Sequence, residues 1–475
     1  MHPEIIQGGM GVAVSSWLLA RTVSMQGQLG VVSGTAMDVV LVRRLWDGDP
    51  GGDIRRAFEA FPIPRIAQEV LDAFFRPEGS PQEPYPSLPM HQQVLRPLHE
   101  KLLTLGNFVE VWLAKEGHAG KVGVNLLTKI QIPTLPSLYG AILAGVDYVL
   151  MGAGIPREIP GALDRLARNE PASITLDVVG AERGEVVETT FDPMSLWEGE
   201  APTLDRPWFL PIISSHSLAT MMVKKANGRV DGFVVEGPTA GGHNAPPREK
   251  GEYNERGEPL YGERDVADLA KIADVGLPFW IAGGAGTPEA YQAARAAGAA
   301  GVQIGTLFAY CEESGLHPDY RRKVVGQALN GSLDVYTDGR ASPTGFPFKV
   351  VRLADTISEK DVYEARERVC DLGYLRTPYK MQGGRIGYRC ASEPVDTFVK
   401  KGGCIEDTVG RKCICNGLLA TIGHGQLREG GREIPILTSG DDLKVLGRFL
   451  KGRCSYSARD VIRYILGQDA QPAES

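Results

Sequence analysis

Gly241-Gly242-His243 puts bare backbone beside an imidazole, a combination that suits a planar ligand or a phosphate brought close to a side chain able to move protons near neutral pH. Just upstream, Phe233-Val-Val235 is a short apolar run of strand-forming residues, and Glu236-Gly237 ends it in a loop rich in glycine and proline. A polar loop therefore closes a buried strand. The same stretch also reads as a surface turn with a solvated histidine, so the flanking chain has to decide between the two.

The chain that must position this loop has 475 residues, long enough for one α/β barrel with insertions and a further subdomain. Hydrophobic residues at 43% and charged residues at 23% are ordinary globular values, which argues against wholesale disorder and membrane residence. A formal charge of −7 with no basic run gives a nucleic-acid backbone nothing to hold. No cationic segment leads into an apolar one at the N-terminus, and the apolar stretch 140–155 is broken by Asp147, so the expected location is the cytoplasm. Seven cysteines at uneven spacing fit reduced thiols rather than a disulfide scaffold.

Taken in order, the chain repeats one unit. Short apolar runs begin at Ile5, Leu29, Lys121, Asp147, Leu210, Phe233, Phe279 and Gly301, and most are followed by helical spacing. Thr287-Pro288 reads as the cap and first residue of one such helix, and Gly145 as the residue that ends another. Strands alternating with helices demand a parallel sheet, and eight such units close most economically as a (β/α)8 TIM barrel. An open doubly wound sheet is the rival, weakened by the lack of a Gly-x-Gly-x-x-Gly after the first strand. Two interruptions are expected: a helical insertion after strand 2, about 38–120, and a hairpin insertion after strand 4, about 172–207. The barrel then spans 1–340, and 341–475 forms a C-terminal subdomain or lid.

In such a barrel the loops at the C-terminal ends of the strands meet at one face. Met10, Ser33, Asn125, Gly152, His216, Glu236 to His243, Gly283 to Gly286 and Gly305-Thr306 would converge there. Barrels often hold a phosphate with the loops after strands seven and eight, where Gly283-Gly284 and Gly305-Thr306 stand. The alternative is a pair of tight strand-to-helix turns. Asn125 could hydrogen-bond a ring edge or merely satisfy a turn.

Five motifs in order, Ile6-Gln-Gly-Gly-Met10, Gly123-Val-Asn125, Glu236-Gly-Pro-Thr-Ala-Gly-Gly-His243, Ala282-Gly-Gly284 and Val302-Gln-Ile-Gly-Thr306, resemble those of the nitronate monooxygenase (2-nitropropane dioxygenase) family of FMN-dependent barrels. Flavin-dependent enoyl-ACP reductases belong to the same broader group. The resemblance runs from about Ile5 to Gly315, leaving out the insertions. It implies that Gly9 and Met10 line the flavin and that Asn125 and Glu236 contact its ring. Gly241 and Gly242 would pass close to that ring. It also implies that Gly283, Gly284, Gly305 and Thr306 take the FMN phosphate with Gln303 nearby, and that His243 is the catalytic histidine. Three positions depart from the family: Gly9 replaces a frequent proline, Glu236 a common glutamine, and Thr239 a common acidic residue.

The implied reaction is oxidation of alkyl nitronates or nitroalkanes with O2, His243 removing the α-proton or orienting the nitronate. Reduction of an enoyl thioester with NAD(P)H is the alternative, and a barrel that only binds a phosphorylated ligand is a third. His216 is a second candidate base, unless it belongs to the start of its helix. Cys311 follows the last strand and reads as a small buried apolar residue. Cys390, Cys404, Cys413 and Cys415 fall close together, but without a Cys-x-x-Cys they are expected to be structural rather than metal ligands.

Overall fold

The strand and helix alternation produces a closed parallel sheet. The computed structural model describes residues 2–249 and 251–468. Its strands are β1 (Ile5–Gln7), β2 (Gly30–Ser33), β3 (Val122–Leu127), β4 (Tyr148–Gly152), β5 (Trp208–Ile213), β6 (Phe233–Glu236), β7 (Phe279–Ala282) and β8 (Gly301–Ile304). From β2 onward each pairs in parallel with its successor, and β8 returns to β1 in the register Ile5 to Val302. The last seam joins β1 to β2 at Ile6 and Leu29, with Gln7 N donating to Leu29 O at 2.9 Å and Leu29 N to Ile5 O at 3.0 Å. Closure removes exposed sheet edges, and the architecture is the expected (β/α)8 barrel.

Side chains alternate across each strand, so residue parity sorts the core into two layers. Ile5, Val32, Val124, Val149, Phe209 and Phe279 pack outward among the helices. Ile6, Val31, Leu150, Leu210, Val234 and Trp280 form a separate buried cluster that fills the barrel's interior. Asn125, Glu236 and Gln303 share the inward parity and stand at or near the C-terminal ends of their strands. Two-residue periodicity alone therefore aims three polar side chains at the barrel mouth.

The insertion after β2 is helical: Met37–Trp46, Asp53–Glu59, Pro64–Phe74 and Pro97–Lys115. The last and longest of these was not separated from the insertion by sequence, yet it packs against β2 and β3 as a barrel helix does. The insertion after β4 contains the antiparallel pair Ala172–Thr175 and Glu188–Phe191. Residues beyond 330 add three more antiparallel pairs, Val335–Asp338 with Phe348–Val351, Thr377–Lys380 with Ile386–Arg389 and Leu427–Arg428 with Gly431–Arg432, and several short helices. Part of this region covers the barrel mouth with Phe348, Tyr374, Leu375, Ile414 and Leu419. Its final stretch does something different: Leu443, Leu446, Phe449, Val461 and Ile465 join the same buried cluster as the barrel's outer layer. Among the described residues, no helix is long and apolar enough to cross a membrane.

Candidate active site

A cavity of about 240 Å³ opens between the barrel mouth and its cover. One water needs about 10–15 Å³ on such a measure, so the space is of ligand size. Gly9, Met10, Asn125, Glu236, Gly241, Gly242, His243, Gly283, Gln303, Gly305 and Thr306 all line it. Gly284 is not in the lining; it sits in the same turn with φ +70°. His216 is not in the lining either. It is the first residue of the helix His216–Lys225, whose cap Ser215 accepts from Leu218 N. Cys311 is buried and donates its thiol to Phe308 O at 3.1 Å.

The loop after β6 is held from above. Gly242 N donates to Thr438 Oγ1 at 2.9 Å, and Gly242 O accepts from Lys349 N at 3.0 Å. Asn244 N donates to Pro347 O at 2.9 Å. The His243 imidazole stacks edge-on against Phe348, centroids 4.9 Å apart, and its Nε2 lies 2.7 Å from Ser342 Oγ. Burial lowers the His243 pKa to about 4. This corrects the expectation of a near-neutral base: an apolar ring contact and a covering hairpin, neither visible in the motif, disfavour the imidazolium. His243 is neutral at physiological pH, and its ring is fixed through Ser342.

Glu236 shifts the other way. Its carboxyl has no hydrogen-bond or ion-pair partner among the described residues, and desolvation raises its pKa to about 8. At neutral pH it is held as the acid, able to donate one hydrogen bond as a glutamine amide would. The departure from glutamine noted in the sequence is thus smaller chemically than it looks. Asn125 Nδ2 reaches Gly9 O at 3.4 Å, and Gln303 Oε1 is buried without a partner among the described residues. That unmet acceptor suits the N–H edge of a bound ring.

Two glycines are required by geometry. A Cβ on Gly9 would fall 2.1 Å from Asn125 Cβ, and one on Gly283, at φ +84°, would fall 2.9 Å from Ala240 N. Bare backbone there brings the loops after β1, β6 and β7 together around the cavity. Among the described residues no lysine or arginine lines the space, so an anionic group would be held by backbone N–H groups and by Thr306.

The sequence suggested a C-terminal lid but not which of its residues reach the cavity. Thr438, Ser439, Gly440 and Asp442 line the cavity, threaded between the loops after β6, β7 and β8. Asp441 N donates to Thr239 O at 2.9 Å, and Gly440 N to Thr306 Oγ1 at 3.0 Å. The signal was present on a small scale: the apolar run Ile434–Leu437 ends in Thr-Ser-Gly-Asp-Asp, the same strand-then-polar-turn pattern as the barrel loops. Of the four clustered cysteines, Cys390 and Cys413 are buried, Cys404 is exposed and Cys415 lines the cavity; all are free thiols.

Residues 165–339 match the family model of nitronate monooxygenase. That segment carries β5 to β8 and their loops, including Glu236 to His243, Gly283-Gly284 and Gln303 to Thr306. A nitronate monooxygenase of Pseudomonas aeruginosa is 35% identical over 122 residues, 25% of this chain and 32% of that protein. A probable nitronate monooxygenase of Bacillus subtilis is 36% identical over 100 residues, 20% of this chain and 26% of that protein. The alignments thus span about a third or less of these relatives' lengths. A solved structure of FabK from Thermotoga maritima superposes with a TM-score of 0.48 at 18% identity, over 98% of this chain and 93% of that one.

Proposed function

We propose that this chain is an FMN-dependent oxidoreductase that oxidises alkyl nitronates with O2. The observation that carries the reading is the ring of inward polar side chains, Asn125, Glu236 and Gln303, set among bare glycine loops beneath a fixed neutral histidine. The nitronate monooxygenase match over 165–339 supports it. FMN would supply the electron transfer, and the protein binding, orientation and electrostatics. Gly9, Met10, Gly241 and Gly242 would let the ring approach, and Asn125, Glu236 and Gln303 would meet its polar edge. Gly283, Gly305 and Thr306 would hold the phosphate, with Gly284 shaping the same turn. His243, held by Ser342, would hydrogen-bond and orient the substrate. With a conjugate-acid pKa of about 4 it is a poor base for a neutral nitroalkane, so the anionic nitronate is the favoured substrate.

A second reading, NAD(P)H-dependent reduction of an enoyl thioester, is favoured by one feature. Ile130, Leu375, Ile414, Leu418 and Leu419 give the cavity an apolar wall against which an acyl chain could pack. The purified protein decides between them. Aerobic oxygen uptake with a short alkyl nitronate supports the first. Anaerobic bleaching of the flavin spectrum by NADPH, recoloured by an enoyl thioester and not by a nitronate, replaces it with the second. A protein that retains no flavin and binds none overturns both.

A further inference from the structure

The carboxyl of Asp442 packs against Gly286, in the turn after β7. The contact is tight: a Cβ on Gly286 would fall 2.9 Å from both Cγ and Oδ2 of Asp442. Asp442 lines the cavity together with Gly283, Gly305 and Thr306. An acidic side chain is therefore packed against the turn at the end of the cavity that a phosphomonoester would use. Its neighbour Asp441 is neutralised by Lys349 at 3.2 Å and Lys444 at 3.7 Å, whereas no salt bridge reaches Asp442 among the described residues.

Resting on the FMN reading above, we propose that Asp442 is an internal competitor for the cofactor's phosphate and sets the charge this end of the cavity accepts. A dianionic phosphate placed beside the carboxylate meets like charge and competes with it for the space at the Gly286 turn. With the acid protonated, or replaced by an uncharged amide, that opposition disappears. Burial, with Asp441 adding to it, holds the Asp442 pKa up at about 6, so the competition is strong at pH 8 and relaxed at pH 5.5. The other titratable groups on the cavity are Glu236, an acid at neutral pH; His243, neutral down to about pH 4; Tyr310, raised to about 12; and Tyr374 and Cys415, both pushed well up by burial. Asp441, Lys349 and Lys444 form the charged set behind the segment. Glu236 ionises partly by pH 8, and it does so alike in wild type and in the Asp442 variants, so comparing them at one pH isolates Asp442. A phosphomonoester itself titrates near 6, so the wild-type profile has to be read against a variant.

The experiment is flavin fluorescence quenching with apoprotein, titrating FMN and riboflavin separately at pH 5.5 and pH 8 into wild type, Asp442→Asn and Asp442→Ala. The expected result is that Asp442→Asn binds FMN about tenfold more tightly than wild type at pH 8, with little difference at pH 5.5. Riboflavin, which has no phosphate, should bind the two alike at both pH values. Asp442→Ala should follow Asp442→Asn, and circular dichroism on both variants keeps a folding defect from passing as an effect. Equal or weaker FMN binding by a folded Asp442→Asn at pH 8 overturns the competition. An identical gain for riboflavin also overturns it, since the effect would not run through the phosphate. If neither flavin binds any of the proteins, the FMN reading itself fails and the proposal goes with it.

Discussion

His243 Nε2 lies 2.7 Å from Ser342 Oγ, and Ser342 Oγ in turn lies 2.8 Å from Thr344 Oγ1. A residue of the β6 loop and one of the covering region are thus parts of one hydrogen-bonded unit. The imidazole's orientation depends on a residue 99 positions away in sequence. Ser342→Ala should leave flavin content unchanged and lower kcat on a nitronate by about tenfold, the worth of one buried hydrogen bond. Ser342→Thr should restore much of it. Loss of flavin from Ser342→Ala would show that the pair supports the loop rather than the chemistry.

His243→Asn should keep the flavin spectrum and lose turnover of a pre-formed nitronate by about 10²-fold, because a positioned donor is removed. His243 should contribute no inflection to the wild-type pH–rate profile between pH 8 and about 5, since its folded pKa lies at about 4. A histidine whose pKa is depressed from 6.5 contributes stability that is present above 6.5 and is lost as pH falls through 4. Acid unfolding of wild type should therefore set in at higher pH than that of His243→Asn, read by circular dichroism. A kinetic pKa near 6.5 assigned to His243 would contradict its burial.

Glu236 gives the opposite window. Its folded pKa of about 8 stands above the ordinary 4.5, so its contribution to stability is complete below 4.5 and is lost as pH rises through 8. Glu236→Gln should be indistinguishable from wild type at pH 4.5 and more stable at pH 8.5 by about 2 kcal/mol, with allowance for water in the cavity. Thermal melts at the two pH values measure this. The same variant should hold flavin at pH 8.5 where wild type begins to release it, because the amide keeps the donor that the ionised acid loses.

The eight strands could be read from the sequence because each is short, apolar and closed by a glycine or polar turn, signals that are local in the chain. Asn125, Glu236 and Gln303 could be placed for the same reason, since strand parity fixes their direction once the strand is found. What escaped was anything decided by distant packing. The motif around His243 says nothing of Phe348 or Ser342, which remove water from the ring and shift its pKa. Thr438 to Asp442 escaped because the strand and helix rhythm had faded by then, although the segment fills the mouth between three barrel loops. His216 could be resolved only by its neighbour: Ser215 caps a helix that starts at His216, and a helix-start histidine has no need of a ligand.

Gly9→Ala tests the close packing of β1 against β3. The added methyl would meet Asn125 Cβ at 2.1 Å and Val31 Cγ1 at 3.2 Å, and neither belongs to a long flexible side chain. Overpacking of this kind costs about 1–3 kcal/mol, and it would push Asn125 out of its place on the cavity wall. The expected outcome is a lower Tm together with weakened flavin retention. A variant with wild-type Tm and flavin content would show that the loop after β1 has slack this geometry denies.

Leu418→Trp separates the two functional readings. Leu418 lies on the helix Ile414–Thr421, in the apolar wall that the covering region adds. A tryptophan there occupies the covered end while leaving Asn125, Glu236, Gln303 and His243 untouched. If a short alkyl nitronate is the substrate, its kcat/KM should change by less than about twofold, since the small ligand needs only the end near His243. If the substrate is a long acyl thioester, each methylene excluded from the wall forfeits about 0.8 kcal/mol, and activity should fall steeply with chain length above a threshold. A series of nitronates from two to ten carbons, run beside an enoyl thioester series on both proteins, reads the difference directly. Chain-length sensitivity appearing only in the thioester series of Leu418→Trp would assign the apolar wall to an acyl chain and displace the nitronate reading.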